Sequence, residues 1–182
     1  VKKAGLVEDD GKFKIEAIFL QHGIENVGWR ITEPDVRRFY KEKLKEKKIF
    51  GELMRTLIEK GEIKVDGEVV TLDDVSYIKK GDVIAVVVDT IYCKEAIEIA
   101  KDAKILICES TFAEEHKHLA EKYRHMTAKE AATVAKKANV EKLILTHFSA
   151  RYQDLSVFEK EAKTIFPNVE IGVDLKKIPF PK

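Results

Sequence analysis

The sequence predicts an α/β fold, a mixed sheet flanked by helices, and three observations predict it. From 83 to 174, extended apolar runs alternate with helical patterns, the order that layers helices on a sheet. Val83-Ile-Ala-Val-Val-Val88 is wholly apolar, rich in β-branched residues, and runs straight into Asp89, which reads as a strand buried on both faces. At Thr111, Thr127 and Ser156 a hydroxyl stands three residues before a glutamate, the box that opens a helix.

The elements follow in order. After a polar start, Asp9-Asp10-Gly11 signals a hairpin. Residues 13–20 alternate in their first half and read as a strand, followed at once by Gln21-His22-Gly23; 27–31 is a short strand. Thr32-Glu-Pro-Asp35 combines a hydroxyl cap, an early proline and an acidic first turn, so a helix is expected to about Lys48. That stretch carries seven basic residues (Arg37, Arg38, Lys41, Lys43, Lys45, Lys47, Lys48) against Asp35, Glu42 and Glu46, a local charge of +4. Residues 52–60 form a second helix closed by Gly61, and 65–70 a hairpin around Asp66-Gly67. Beyond the central strand come a helix over 94–103, a strand over 104–108 and helices from Thr111 to about Arg124 and from Thr127 to Ala138. A strand over 142–146, a helix over 156–166 and a strand over 168–173 follow, then an irregular tail with two prolines.

Composition narrows the classes. At 182 residues the chain can bury a core of its own. Charged residues make up 36%, well above the usual quarter or so, and the excess is Lys and Glu, a composition of proteins from hot environments. The net charge of +1 gives no global field for nucleic acid, so any basic surface must be local. Two cysteines, Cys93 and Cys108, exclude a disulfide framework and a thiolate zinc site and read as buried small residues. With no apolar run of membrane-spanning length and no signal peptide, a cytoplasmic chain with no membrane partner is expected.

Polar residues gather at strand ends: His22 after 13–20, Asp89 after 83–88, Glu109 after 104–108 and His147 after 142–146, with His125 just before a helix cap. If these strands share one layered sheet system, their ends cluster, and converging imidazoles and carboxylates are what a Zn²⁺ or Mn²⁺ site requires. Each residue also has a plainer reading. Asp89 can cap the next helix, and His22 and His147 can be core histidines bonded to backbone. No pair has the tight spacing of an H-x-H or H-E-x-x-H ligand motif. His116 and His118, among Glu and Lys, read as solvated.

At these residues the sequence resembles a known family. His22-Gly-Ile-Glu-Asn-Val-Gly-Trp-Arg-Ile31, Val88-Asp89-Thr90, Cys108-Glu109-Ser-Thr-Phe112, His125-Met-Thr127 and Leu145-Thr-His147-Phe-Ser-Ala-Arg151-Tyr152 resemble, in order, the motifs of ribonuclease Z (tRNase Z), the tRNA 3′-processing endoribonuclease of the metallo-β-lactamase superfamily. The resemblance implies the αββα fold, of which this chain would be the C-terminal part. It implies a single partial domain over 1–182, with 33–75 as an inserted arm-like excursion. It further implies His22 as ligand of one zinc, His147 as ligand of the other and Asp89 as bridge. His125, backed by Glu109, would deliver the proton to the leaving oxygen, and Arg151 would contact phosphate or hold its loop. The substrate implied is precursor tRNA, hydrolysed 3′ of the discriminator region to leave a 3′-hydroxyl.

The departures matter. The family's H-x-H-x-D-H motif is absent, so of seven ligand positions for two metals the chain offers His22, Asp89 and His147. The chain by itself is therefore expected to be inactive, as a fragment, a shortened product or one half of a split enzyme. Half a sandwich leaves an apolar sheet face for a second copy or for the missing N-terminal half, so a homo-oligomer is expected. The arm lacks the family's Gly-Pro motif, and Arg37, Arg38, Lys41 and Lys45 are its candidate RNA contacts. Val88 stands in the family's usual glycine position and Cys108 where histidine is frequent. The competing reading is a non-catalytic RNA-binding or interaction protein that keeps the fold remnant.

Overall fold

The computed structural model describes residues 3–181. By packing, the chain divides into two compact units. One is built from the chain up to Pro34 and from Asp82 onward, the other from Asp35 to Gly81.

The larger unit is organised by one mixed sheet of seven strands. In chain order these are β1 (Gly5–Asp9), β2 (Lys14–Phe19), β3 (Val27–Thr32), β8 (Val83–Val87), β9 (Ile105–Glu109), β10 (Lys142–Thr146) and β11 (Val169–Ile171), which are also neighbours in that order. The first three pairings, up to β3 with β8, are antiparallel, and those from β8 to β11 are parallel. Two antiparallel steps separate β2 from β8, so β2 runs the same way as β8, β9 and β10. The C-terminal ends of these four strands therefore lie along one edge.

Helices α4 (Lys94–Ala100), α6 (Ala128–Lys137) and α7 (Ser156–Lys163) cover one face. Their inward residues are mostly small, Ala96, Ala100, Ala131, Ala132, Ala135 and Ala162, with Ile99 and Phe158 filling between them. Small side chains let the helices lie close on Ala85, Val87, Leu106, Cys108, Leu143 and Leu145. The other face differs from expectation. Strand β8 is not buried on both sides: Val83, Ala85 and Val87 are buried while Ile84 and Val86 are half-exposed. Trp29, Val86 and Ile107 stand opposite one another on that second face, as do Ile31 and Ile84, and all are half-buried. An apolar run recorded the hydrophobicity of both faces, but the helices of this unit reach one of them.

The smaller unit corrects the sequence reading most. No helix runs over 35–48. Instead β4 (Val36–Phe39) pairs antiparallel with β7 (Ser76–Lys79), and a short helix, α1, spans Lys41–Glu46. The cap signal misled because Asp35 serves another backbone: its carboxylate accepts from Gly81 N at 3.0 Å and holds Lys80 at 2.7 Å. Asp35 thus closes the base of the unit. Helix α2 (Gly51–Lys60) ends at Gly61, whose φ of 81° is open to glycine without a Cβ clash. The hairpin of β5 (Glu62–Val65) and β6 (Glu68–Thr71) turns at Asp66-Gly67, both left-handed. A single turn, α3 (Leu72–Val75), leads into β7. Ile49, Leu57, Ile63, Val70 and Val75 form a core separate from that of the sheet.

Smaller differences have local causes. Thr111 opens no helix; a 3₁₀ turn (Glu114–His116) precedes α5 (Lys117–Tyr123). Thr127 does form its capping box with Glu130. At α7 the expected Ser156 box does not form: Leu155 is the cap residue and gives no side-chain bond, while Asp154 before it accepts from Ser156 N at 2.8 Å and from its hydroxyl at 2.7 Å. Both cysteines are buried and unbridged, and burial pushes the Cys108 thiol well up. Among the described residues no helix is long and apolar enough to cross a membrane.

Candidate metal centre

The edge where β2, β8, β9 and β10 end collects the strand-end residues. His147 follows β10 directly and Asp89 follows β8 after Val88, and both are in the left-handed region, φ 58° and 53°. Such a conformation is costly for residues other than glycine and persists where surroundings enforce it. At Asp89 the enforcement is visible: the Asn26 amide donates to the carbonyls of Val88 (2.5 Å) and Asp89 (2.7 Å). Asp89 Oδ1 lies 2.9 Å from His147 Nε2.

Glu109, at the end of β9, is fully buried. It accepts from the backbone N–H of Thr90, from Met126 N at 2.9 Å and from the Thr111 hydroxyl at 2.8 Å, and lies 3.1 Å from His125 Nδ1. One carboxylate thus ties together the loops that carry Asp89 and His125, and Thr111, bonded to it, reaches His147 Nδ1 at 2.9 Å. The hydrogen bond that His125 donates to Glu109 holds the His125 pKa above the ordinary histidine value; burial opposes this, and the charges of Glu109 and Asp89 add to it. With Nδ1 committed to Glu109, His125 keeps Nε2 for another partner.

His22 lies two residues past Leu20, whose N–H bonds to Asn26 O at 2.9 Å and folds the loop back. Its Nδ1 sits 2.9 Å from the carbonyl of Arg124, itself a left-handed helix cap. A carbonyl accepts, so Nδ1 carries the proton and Nε2 offers a lone pair. The rings of His22 and His125 are 5.0 Å apart, and those of His125 and His147 5.3 Å. Two triads present ligand atoms within 4.8 Å of one another: His22, Asp89 and His125, and Glu109, His125 and His147. The donor set suits a borderline cation such as Zn²⁺, and pinning the far nitrogen of each imidazole is the usual support for a metal ligand.

The other candidates lie elsewhere. Arg151, exposed, stacks its guanidinium 5.5 Å from the Phe112 ring, with Nε 3.3 Å from Ser149 Oγ. In the smaller unit Arg37 is engaged by Asp73 (2.8 Å) and Ser76 (2.7 Å), which leaves it a structural role there. Arg38 is exposed on β4, and Lys41 and Lys45 are exposed on α1, so the expected single basic helix face does not exist. His116 is not simply solvated: it is half-buried, with Nδ1 2.8 Å from the Tyr152 hydroxyl. Sequence reasoning missed Asn26 and the site role of Thr111, although both fall inside the quoted motifs. A cleft of about 640 Å³ between Gly5, Arg30 and Asp102 shares no residue with this cluster.

The architecture is that of the metallo-β-lactamase fold. The short form of human tRNase Z superposes with a TM-score of 0.59 at 22% identity over 99% of this chain and 48% of that one. The metallo-β-lactamase fold protein YhfI from Bacillus subtilis gives 0.59 at 20% identity over 92% and 49%. Sequence narrows the class further: over its whole length the chain is a homologue of proteins named ribonuclease Z. It is 59% identical over 182 residues to that of Protochlamydia amoebophila and 50% to that of Chlamydia pneumoniae. It spans 60% and 59% of those two relatives' lengths. No family model matches the chain.

Proposed function

We propose that this chain carries part of the metal-dependent endonuclease centre of a ribonuclease Z, acting on the 3′ ends of precursor tRNA. The observation that carries the reading is the convergence of His22, Asp89, His125 and His147, from four separate loops, with Glu109 at the end of β9. The relatives' shared name supports the substrate class.

In this reading His22 and His147 would each hold one zinc ion, and Asp89 would be the carboxylate that serves both. Zinc, when bound, supplies an activated water and neutralises charge on the phosphate. His125, hydrogen-bonded to buried Glu109, donates its proton from Nε2 to the departing 3′ oxygen as the phosphodiester bond breaks. The water oxygen goes to phosphorus, leaving a 3′-hydroxyl on the tRNA. Glu109 keeps His125 oriented and charged for that transfer. Arg151, Arg38, Lys41 and Lys45, all exposed, would meet phosphate. His22, Asp89 and His147 alone fall short of two zinc spheres at about four ligands each; the H-x-H-x-D-H ligands of the family would complete them.

The apolar face of Trp29, Ile31, Ile84, Val86 and Ile107 would be covered by the remainder of the relatives' length, or by a second copy of this chain. Light scattering on the isolated chain distinguishes a dimer from a monomer.

The test is zinc content and precursor-tRNA cleavage, for this chain and for the chain supplied with an H-x-H-x-D-H segment from a relative. Zinc binding that weakens at least ~10-fold in Asp89→Ala, with cleavage appearing on reconstitution, is expected. Reconstituted protein that neither cleaves nor loses zinc on Asp89→Ala would sink the reading and favour a non-catalytic RNA-binding role.

A further inference from the structure

We infer that Thr111 is a positioning residue that fixes the ring form of His147. The inference rests on the reading of His147 as a metal ligand. Thr111 is buried, 6% exposed, and its hydroxyl lies between two site groups: 2.8 Å from Glu109 Oε2 and 2.9 Å from His147 Nδ1.

A hydroxyl has one hydrogen to give. Glu109 already acts as acceptor toward two backbone N–H groups, of Thr90 and Met126, neither of which can reverse its role. Were the Thr111 hydrogen turned toward His147, lone pairs of the hydroxyl and of a fully buried carboxylate would face each other at 2.8 Å. The hydrogen therefore goes to Glu109. His147 must then bring the hydrogen of its own contact, so Nδ1 is the protonated nitrogen. That assigns Nε2, 2.9 Å from Asp89 Oδ1, as the nitrogen that shares a cation, a proton or a metal ion, with Asp89.

The same arrangement serves the neighbouring rings by other means. His22 Nδ1 is held by the Arg124 carbonyl and His125 Nδ1 by Glu109. All three imidazoles commit Nδ1 to the protein, and Glu109 governs two of them, one directly and one through Thr111. Free imidazole side chains favour the opposite form, with the hydrogen on Nε2, so the relay sets the ring against its own preference.

The experiment compares the wild-type chain with Thr111→Val, which keeps shape and removes the hydroxyl, and with Thr111→Ser, which keeps the hydroxyl. Ring nitrogens are read by long-range ¹H–¹⁵N spectra, with His147→Gln to assign the signal, and zinc affinity by competition with a coloured chelator in each chain supplied with the H-x-H-x-D-H segment. The expected result is a protonated Nδ1 on His147 in wild type and Thr111→Ser, lost in Thr111→Val, whose zinc affinity falls roughly 10- to 100-fold. A bare Nδ1 in the wild-type spectrum overturns the inference by itself, whether or not Thr111→Val folds. So does a Thr111→Val chain that keeps both the Nδ1 proton and the wild-type zinc affinity. A chain supplied with the H-x-H-x-D-H segment that still takes up no zinc overturns the metal reading of the site instead, and the ring spectra still decide the role of Thr111.

Discussion

Glu109 shows what one residue does here. Buried and surrounded by donors from Thr90, Thr111, His125 and Met126, it leaves no place for a donor of its own. Glu109→Gln turns an amide NH₂ toward at least one of them, and the loss should be about 2–4 kcal/mol, measured by urea unfolding. A variant as stable as wild type would mean the carboxylate is not the tie between the loops. Strand-end placement is readable in the sequence for His22, Asp89, Glu109 and His147, and the structure brings these four to one edge. Thr111 was read as a helix cap because a hydroxyl three residues before a glutamate looks the same whether it serves a backbone N–H or a site. Asn26 gave no signal, since its contacts are to carbonyls more than sixty residues away.

Among the elements, the β10–β11 pairing carries a pH-dependent component. Glu170 on β11 lies 2.5 Å from Lys142 and 2.6 Å from Lys176, and these contacts, Lys142 foremost, hold its carboxyl below the ordinary range. A depressed folded-state pKa stabilises above the unfolded value and is lost as pH falls through the folded value. Glu170→Gln should cost roughly 0.5–1 kcal/mol near neutrality, partial exposure limiting the gain. The gap to wild type should close as pH drops below about 4, where the unfolded carboxylate titrates; denaturation midpoints across pH 3–7 would show it. A gap constant with pH would assign the effect to packing. Elements set by local periodicity, such as α2 and the Asp66-Gly67 hairpin, were legible in sequence. The segment 35–48 was not, because β4 exists through its partner β7, some forty residues on. Arg37 was then spent on Asp73 and Ser76 instead of on a helix face.

For the whole molecule, the two separate cores have a consequence for unfolding. Leu57 is fully buried in the core of the smaller unit, among Ile49, Ile63, Val70 and Val75. Leu57→Ala should destabilise that unit by about 2–5 kcal/mol. Hydrogen exchange should accelerate over 35–81, while protection of β8, β9 and β10 stays within about threefold, as expected for independent units. Equal acceleration in both would show the units unfold together. At this scale too the sheet's second face is half-exposed, although its apolar residues were as visible in the sequence as those of the first.

The sequence by itself determined the α/β alternation, the strand-end positions of the acidic and imidazole groups, and the likeness to ribonuclease Z that the relatives bear out. These are properties of periodicity and of residue order, which act over a few neighbours. The tertiary structure decided which strand ends meet, which face of β8 is covered, and what Nδ1 of His22, His125 and His147 meets. Those depend on partners distant in the chain: a sheet edge exists once β2 and β8 run the same way, and the rings of His22, His125 and His147 meet Arg124, Glu109 and Thr111 respectively.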